Sequence, residues 1–131
     1  AIDDPEPTDP LNFYITDFSS RELPGQDLDV AAPGSWVVGP YQLQSGKISY
    51  YYLGGTSMAS PHVAGLVALM QEKYAALTAA EAEEILESTA LYLDEGCVEV
   101  LTPNGIKTFC WGDDATGAGL VDAAAVLEAT P

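Results

Sequence analysis

The chain has 131 residues, 47% of them hydrophobic, enough for one small core. Twenty acidic residues against four basic ones give a formal net charge of −16, which argues against nucleic acid and anionic membranes as partners. No apolar run is long enough to span a bilayer, and the chain opens with neither an initiator methionine nor a basic and apolar leader, so its location has to be inferred from other features.

The opening stretch, Asp3 to Pro10, is acidic and proline-rich and reads as a loop. Short strand-like runs follow at Asp29–Ala31, Trp36–Val38 and Lys47–Tyr52, separated by proline and glycine. A helix is predicted over about 57–75. Val63, Ala64, Leu66, Val67, Ala68, Leu69 and Met70 leave it no polar face, the pattern of a helix buried on all sides, with Gly65 allowing a close neighbour. Pro61 is placed in or near its first turn, where a missing N–H costs little. Thr78 and Glu81 form a Thr-x-x-Glu capping box ahead of a helix whose apolar stripe is Ala82, Ile85, Leu86 and Ala90. Cys97 and Cys110 bracket a hairpin over about 97–110, turned by Thr102-Pro103-Asn104-Gly105. A four-residue loop pairs Leu101 with Ile106 and sets the cysteines opposite each other, whereas a three-residue loop offsets them by one. Asp122 can cap a last helix running through Leu127, and no segment repeats.

Chemistry concentrates around Ser57. A serine at the start of a helix can be a plain N-cap, or it can be a nucleophile whose own N–H faces the oxygen that becomes negative in acyl transfer. Gly54 and Gly55 permit a tight turn and close approach of a substrate backbone, with Thr56 lining the same corner and Met58 beside the nucleophile. The single histidine, His62, is excluded as the base: five helical residues rise ~7.5 Å and rotate its side chain well round from Ser57, so it is read as a packed helix histidine. For Cys97 and Cys110 a disulfide is favoured over two free thiols or half a metal site, because no second histidine or further cysteine supplies ligands, and an oxidising location goes with it. Glu81, Glu83, Glu84 and Glu87 read as a solvated acidic face, suited to a high-salt habitat or to an acidic secreted enzyme.

The run Gly54-Gly55-Thr56-Ser57-Met58-Ala59-Ser60-Pro61-His62-Val63-Ala64-Gly65 resembles the segment around the catalytic serine of subtilisin-like serine proteases, the subtilases or peptidase S8 family. Ala1-Ile2-Asp3-Asp4 resembles the end of a family strand, Ile15 to Ser20 its Ala-x-Phe-Ser-Ser stretch, Asp29 to Gly34 its Asp-Val-x-Ala-Pro-Gly, and Gly117 to Ala123 its closing Gly-x-Gly-x-Val-Asn/Asp-Ala. These landmarks come in family order over nearly the whole chain. The resemblance implies an α/β, subtilisin-like three-layer fold with a mainly parallel sheet, of which residues 1–131 are the C-terminal portion of one catalytic domain, Asp3 to Pro10 being an insertion. It implies a secreted serine endopeptidase acting on polypeptides, with Ser57 as nucleophile, the Ser57 N–H as oxyanion donor supported by Thr56, and Gly54, Gly55 and Met58 bordering the substrate cleft. It makes His62 structural and Met58 a place where oxidation impairs turnover. The family sometimes binds structural calcium, but Asp27 and Asp29 are read as surface acids, so no metal or other cofactor is assigned.

Subtilases use Asp, His and Ser in that order plus an oxyanion asparagine, yet residues 1–56 hold no histidine, and Asn12 lies in the wrong context. The partner required is therefore the N-terminal half of the domain, without which the chain is expected to expose apolar surface, be poorly stable and be inactive. An esterase nucleophile elbow fails, since no histidine follows His62. The alternatives are a catalytically incompetent remnant serving as a binding module and a chain that works paired with a separate N-terminal fragment. The tyrosine-rich stretch from Trp36 to Tyr52 borders the leaving-group side on this resemblance, although core packing explains most such aromatics.

Overall fold

The structure is a computed structural model that describes residues 8–131; the Ala1–Asp4 segment and most of the acidic opening loop lie outside the described residues. The order of elements is hairpin, two helices, hairpin, helix: β1 (Val37–Gln44) and β2 (Lys47–Leu53), α1 (Thr56–Lys73), α2 (Ala79–Ser88), β3 (Gly96–Thr102) and β4 (Gly105–Trp111), then α3 (Ala123–Ala129). Each hairpin is a two-stranded antiparallel sheet. The mainly parallel sheet implied by the family resemblance is not formed among the described residues, where parallel pairing is confined to the bridge between Ala31 and Leu120. Parallel strands need neighbours joined by long crossovers, and the described residues supply none. The Asp29–Ala31 run is likewise a pair of isolated bridges instead of a strand.

Two small cores hold the elements. In the first, Leu66 and Met70 of α1 meet Leu77, Ala82 and Leu86 of α2 and Val126 of α3. Met70 and Val126 have no exposed surface, and full burial of such side chains is worth about 1.5–3 kcal/mol each. The second joins Ile15, Leu93 and Ala115. Between them residues 117–121 thread through the molecule: the Ala118 N–H donates to Asp29 O (2.8 Å) and the Val121 N–H to Ala31 O (2.9 Å) on one side, and Leu120 exchanges two bonds with Leu91 (2.8 and 2.9 Å) on the other.

α1 is half-buried, not enclosed. Leu66 and Met70, with Val63 and Val67, face the core; Ala64, Gly65, Ala68 and Leu69 are exposed, and a Cβ at Gly65 would meet nothing within 4 Å. The all-apolar sequence asks for cover on every side, and the described residues provide it on one. Pro61 also falls deeper than expected: because the helix starts at Thr56, it lies in the second turn, and the Ser57 carbonyl has no N–H four residues on to receive.

The helix ends follow their sequence signals. Thr78 Oγ1 accepts from the Glu81 N–H while Glu81 Oε2 accepts from the Thr78 N–H (2.8 Å), the reciprocal bonds that define a capping box. The Thr78 backbone donor holds the Glu81 carboxyl below its ordinary range. Asp122 Oδ1 accepts from Ala124 and Ala125 to start α3, which ends at Ala129. Lys73, at the end of α1, reaches across to donate to the carbonyls of Leu127 (2.7 Å) and Thr130 (2.5 Å), capping the negative end of α3 with a cation. Lys73→Met is expected to cost about 1 kcal/mol, an exposed charge at a helix C-terminus. It should raise amide exchange over 123–130 first; unchanged exchange there would show the cap to be idle.

In the second hairpin Leu101 pairs with Ile106 and Cys97 with Cys110, the four-residue-loop register, and the ladder runs one step further to Thr102 and Gly105. Gly105, at φ 106°, takes the left-handed position, and Thr102 Oγ1 accepts from the Asn104 N–H. Cys97 and Cys110 are disulfide-bonded across this pair. The hairpin leans on residues 14–17: Phe109 stacks 5.1 Å from Tyr14, and Lys107 bonds Asp17 at 2.6 Å, holding that carboxyl below its ordinary value. Among the described residues no helix is long and apolar enough to cross a membrane.

Candidate active site

The site is built from the N-terminus of α1 and the loop that abuts it. Gly55 caps the helix with φ 155° and ψ 159°, a backbone region closed to side-chain-bearing residues. Its N–H donates to Gly34 O (2.8 Å), and its carbonyl accepts from the Met58 N–H (2.9 Å). Gly34 is in turn forced to be small, because a Cβ there would stand 3.0 Å from Gly55 O and 3.2 Å from the Ala59 Cβ. The Phe18 ring lies over Gly54, and the Met58 sulfur lies beside Gly55. The glycine turn is thereby clamped between the Ala32-Pro33-Gly34 loop and the Phe18 segment.

Ser57 is the second residue of the helix and is exposed, as is Thr56. The first-turn N–H groups of a helix have no acceptor within it, so those of Thr56 and Ser57 are available at the positive end of the helix dipole. Among the described residues Ser57 Oγ makes no hydrogen bond to a base. His62 does not reach it. The imidazole is exposed instead of packed as the sequence suggests, and its Nδ1 donates back to Met58 O at 2.7 Å, one helical turn away.

A cleft of about 650 Å³ opens beside this turn, walled by Tyr14, Phe18, Pro33, Trp36, Thr56 and Ala59. The described residues thus bring together Gly54, Gly55, Thr56, Ser57 and Met58 in one corner and leave the disulfide on the other hairpin. Sequence reasoning missed that Gly34 and Phe18 brace the glycine turn that precedes Ser57. Both lie inside the short motifs already singled out, but a linear motif does not say what it touches. Asp29 approaches Glu83 and Glu87, not Asp27; the three exposed carboxylates, with oxygens within 4.8 Å of one another, form a surface grouping.

The arrangement can be compared with known proteins. The chain matches the model described as Subtilase family over residues 10–122. An extracellular protease of Xanthomonas campestris pv. campestris is 38% identical over 109 residues, covering 80% of this chain and 16% of that protein. Subtilisin DY of Bacillus licheniformis is 45% identical over 71 residues, covering 54% of this chain and 24% of that protein. Among solved structures, a protease from Pseudoalteromonas arctica aligns with a TM-score of 0.60 at 34% identity, covering 79% of this chain and 30% of that one. Fervidolysin from Fervidobacterium pennivorans, described as a keratinolytic enzyme related to subtilisin, gives 0.59 at 29% identity, covering 86% and 16%. The chain therefore spans less than a third of the length of each of these relatives.

Proposed function

Given that this chain belongs to the subtilase family and carries part of its α/β fold, we propose that it is the C-terminal portion of one catalytic domain and contributes the nucleophile of a serine endopeptidase. The observation that carries this reading is the exposed Ser57 at the helix start, with its N–H free and its turn clamped by Gly34 and Phe18. In the full-length protein a histidine from the N-terminal part takes the Ser57 proton as Oγ attacks the scissile carbonyl, and an aspartate from the same part orients that histidine. The negative oxygen of the tetrahedral intermediate is held by the Ser57 N–H and an asparagine side chain from outside this chain, with Thr56 as support. Collapse of the intermediate expels the amine, protonated by the histidine, and leaves an acyl-enzyme that water hydrolyses.

Polypeptide is the substrate class and the N-terminal half of the domain the obligate partner, so the 131 residues alone are inactive. The exposed face of α1, with Leu69 49% exposed, supports the same partnership. The disulfide and the extracellular relative support a secreted location. Treating the full-length protein with a fluorophosphonate and mapping the adduct tests the assignment: the expected label is one phosphonyl group on Ser57, and labelling confined to another residue would sink it.

A further inference from the structure

Two side chains of the second hairpin reach the segments that hold the glycine turn before Ser57. Lys107 and Phe109 stand two residues apart on β4 and so share one face of it. Lys107 Nζ meets Asp17 Oδ2 at 2.6 Å, the one ion pair between side chains among the described residues. Asp17 immediately precedes Phe18, whose ring lies over Gly54. Phe109 is buried and stacks 5.1 Å from Tyr14, and the Tyr14 hydroxyl lies 3.5 Å from Ser35 Oγ. Ser35 immediately follows Gly34, whose carbonyl accepts from the Gly55 N–H. One face of β4 is joined in this way, by two separate routes, to the two glycines ahead of Ser57.

The hairpin is built as a fixed support for these contacts. The disulfide ties Cys97 to Cys110, the neighbour of Phe109, one pair from the base of the ladder, and just beyond it Trp111 Nε1 donates to Asp94 O at 2.8 Å. Lys107 Nζ also lies 4.9 Å from the centre of the Phe109 ring, so the two anchors hold each other. Folding stability does not account for the ion pair. Its partners are 49% and 59% exposed, and an exposed pair contributes little to stability. What the contact does is fix where the Tyr14–Phe18 segment stands.

On the endopeptidase reading above, we propose that Lys107 and Phe109 are positioning residues for the reaction at Ser57. Through Asp17 and Phe18 on one route, and Tyr14 and Ser35 on the other, they hold the Gly54-Gly55 turn and with it the Ser57 N–H and Oγ in the geometry that acylation requires. Misplacing a reacting group by about 1 Å costs about 10²-fold in rate. A smaller shift costs less, and since neither residue binds substrate the loss falls on kcat and not on KM.

The test uses the full-length protein and a small ester substrate, with active sites counted by fluorophosphonate titration to completion, so that kcat refers to folded protein alone. Lys107→Met and Asp17→Asn should each lower kcat per titrated site about fivefold with KM unchanged, the size found when residues remote from a ligand alter coupling to it. The double variant Lys107→Met/Asp17→Asn should be no slower than either single one, because both remove one contact, and Lys107→Arg should return to within about twofold of the wild type. Tyr14→Phe keeps the stack on Phe109 and removes the hydroxyl. It should lower kcat about twofold, and its effect should multiply with that of Lys107→Met, as separate routes require. A kcat per titrated site unchanged in either Lys107→Met or Tyr14→Phe, or a loss confined to the number of titratable sites, would overturn the positioning role and leave the endopeptidase reading intact. A wild-type protein that neither hydrolyses the ester nor takes up the fluorophosphonate on Ser57 would overturn both.

Discussion

Ser57→Ala in the full-length protein is expected to abolish acyl-enzyme formation and lower kcat by about 10⁶-fold, the loss known for the corresponding change in subtilisin itself. The size follows from what Oγ does: without it there is no covalent intermediate, and the remaining groups can only polarise the carbonyl for attack by water. The residual rate, about 10³–10⁴-fold over water in that same system, belongs to oxyanion donors and binding, which the variant keeps. The substitution should leave folding alone. Ser57 is exposed and its hydroxyl holds no other group, so stability should move by less than about 0.5 kcal/mol. Pre-steady-state kinetics with an ester substrate read the outcome directly. A burst of product in the variant equal to that of the wild type would mean that another residue is the nucleophile.

Gly119→Ala, like Gly117→Ala, should be strongly destabilising. Gly119 has φ 135°, and a Cβ there would stand 2.2 Å from Leu91 O, 2.7 Å from Leu91 C and 3.1 Å from Tyr92 Cα. These are backbone atoms, held by the paired bonds between Leu91 and Leu120, so they cannot swing aside as a flexible side chain would. The Gly119 carbonyl also accepts from the Ala31 N–H, which puts the first strand-like segment in jeopardy. Backbone strain of about 1–3 kcal/mol and overpacking of about 1–3 kcal/mol together approach about 3–5 kcal/mol. Against a typical total of about 5–15 kcal/mol that is enough to empty the soluble fraction at growth temperature. A urea midpoint within experimental scatter of the wild type would refute this. Gly39→Ala is the natural control, since a Cβ there meets nothing within 4 Å and its backbone φ is not positive.

What could be read in advance was local. The glycine turn, the helix behind Ser57, the Thr78–Glu81 box and the register of Cys97 with Cys110 are each set by residues a few positions apart, where spacing and turn chemistry decide. The length of β1 was harder to see. Gly39 and Pro40 interrupt its pattern after Val38, yet the strand continues to Gln44, because proline is tolerated where a two-stranded sheet leaves one edge unpaired. The half-exposed α1 was also misjudged. An all-apolar sequence states that a helix needs cover without stating where the cover comes from, and neither face of the question is answered by residues 57 to 70 alone. The bracing of the glycine turn before Ser57 by Gly34 and Phe18 joins segments that composition and periodicity treat as separate.

The bridge of Ala31 to Leu120 has a kinetic meaning. It joins positions about ninety residues apart, so its loop-closure entropy must be met before the contact gives anything back, while α1 can form from its own neighbours within microseconds. Loop-closure entropy predicts that the helix bearing Ser57 forms before the closure that fixes Ala31, and with it the loop leading to the Gly34 carbonyl that holds Gly55. On that order the turn that carries Ser57 is completed late in folding.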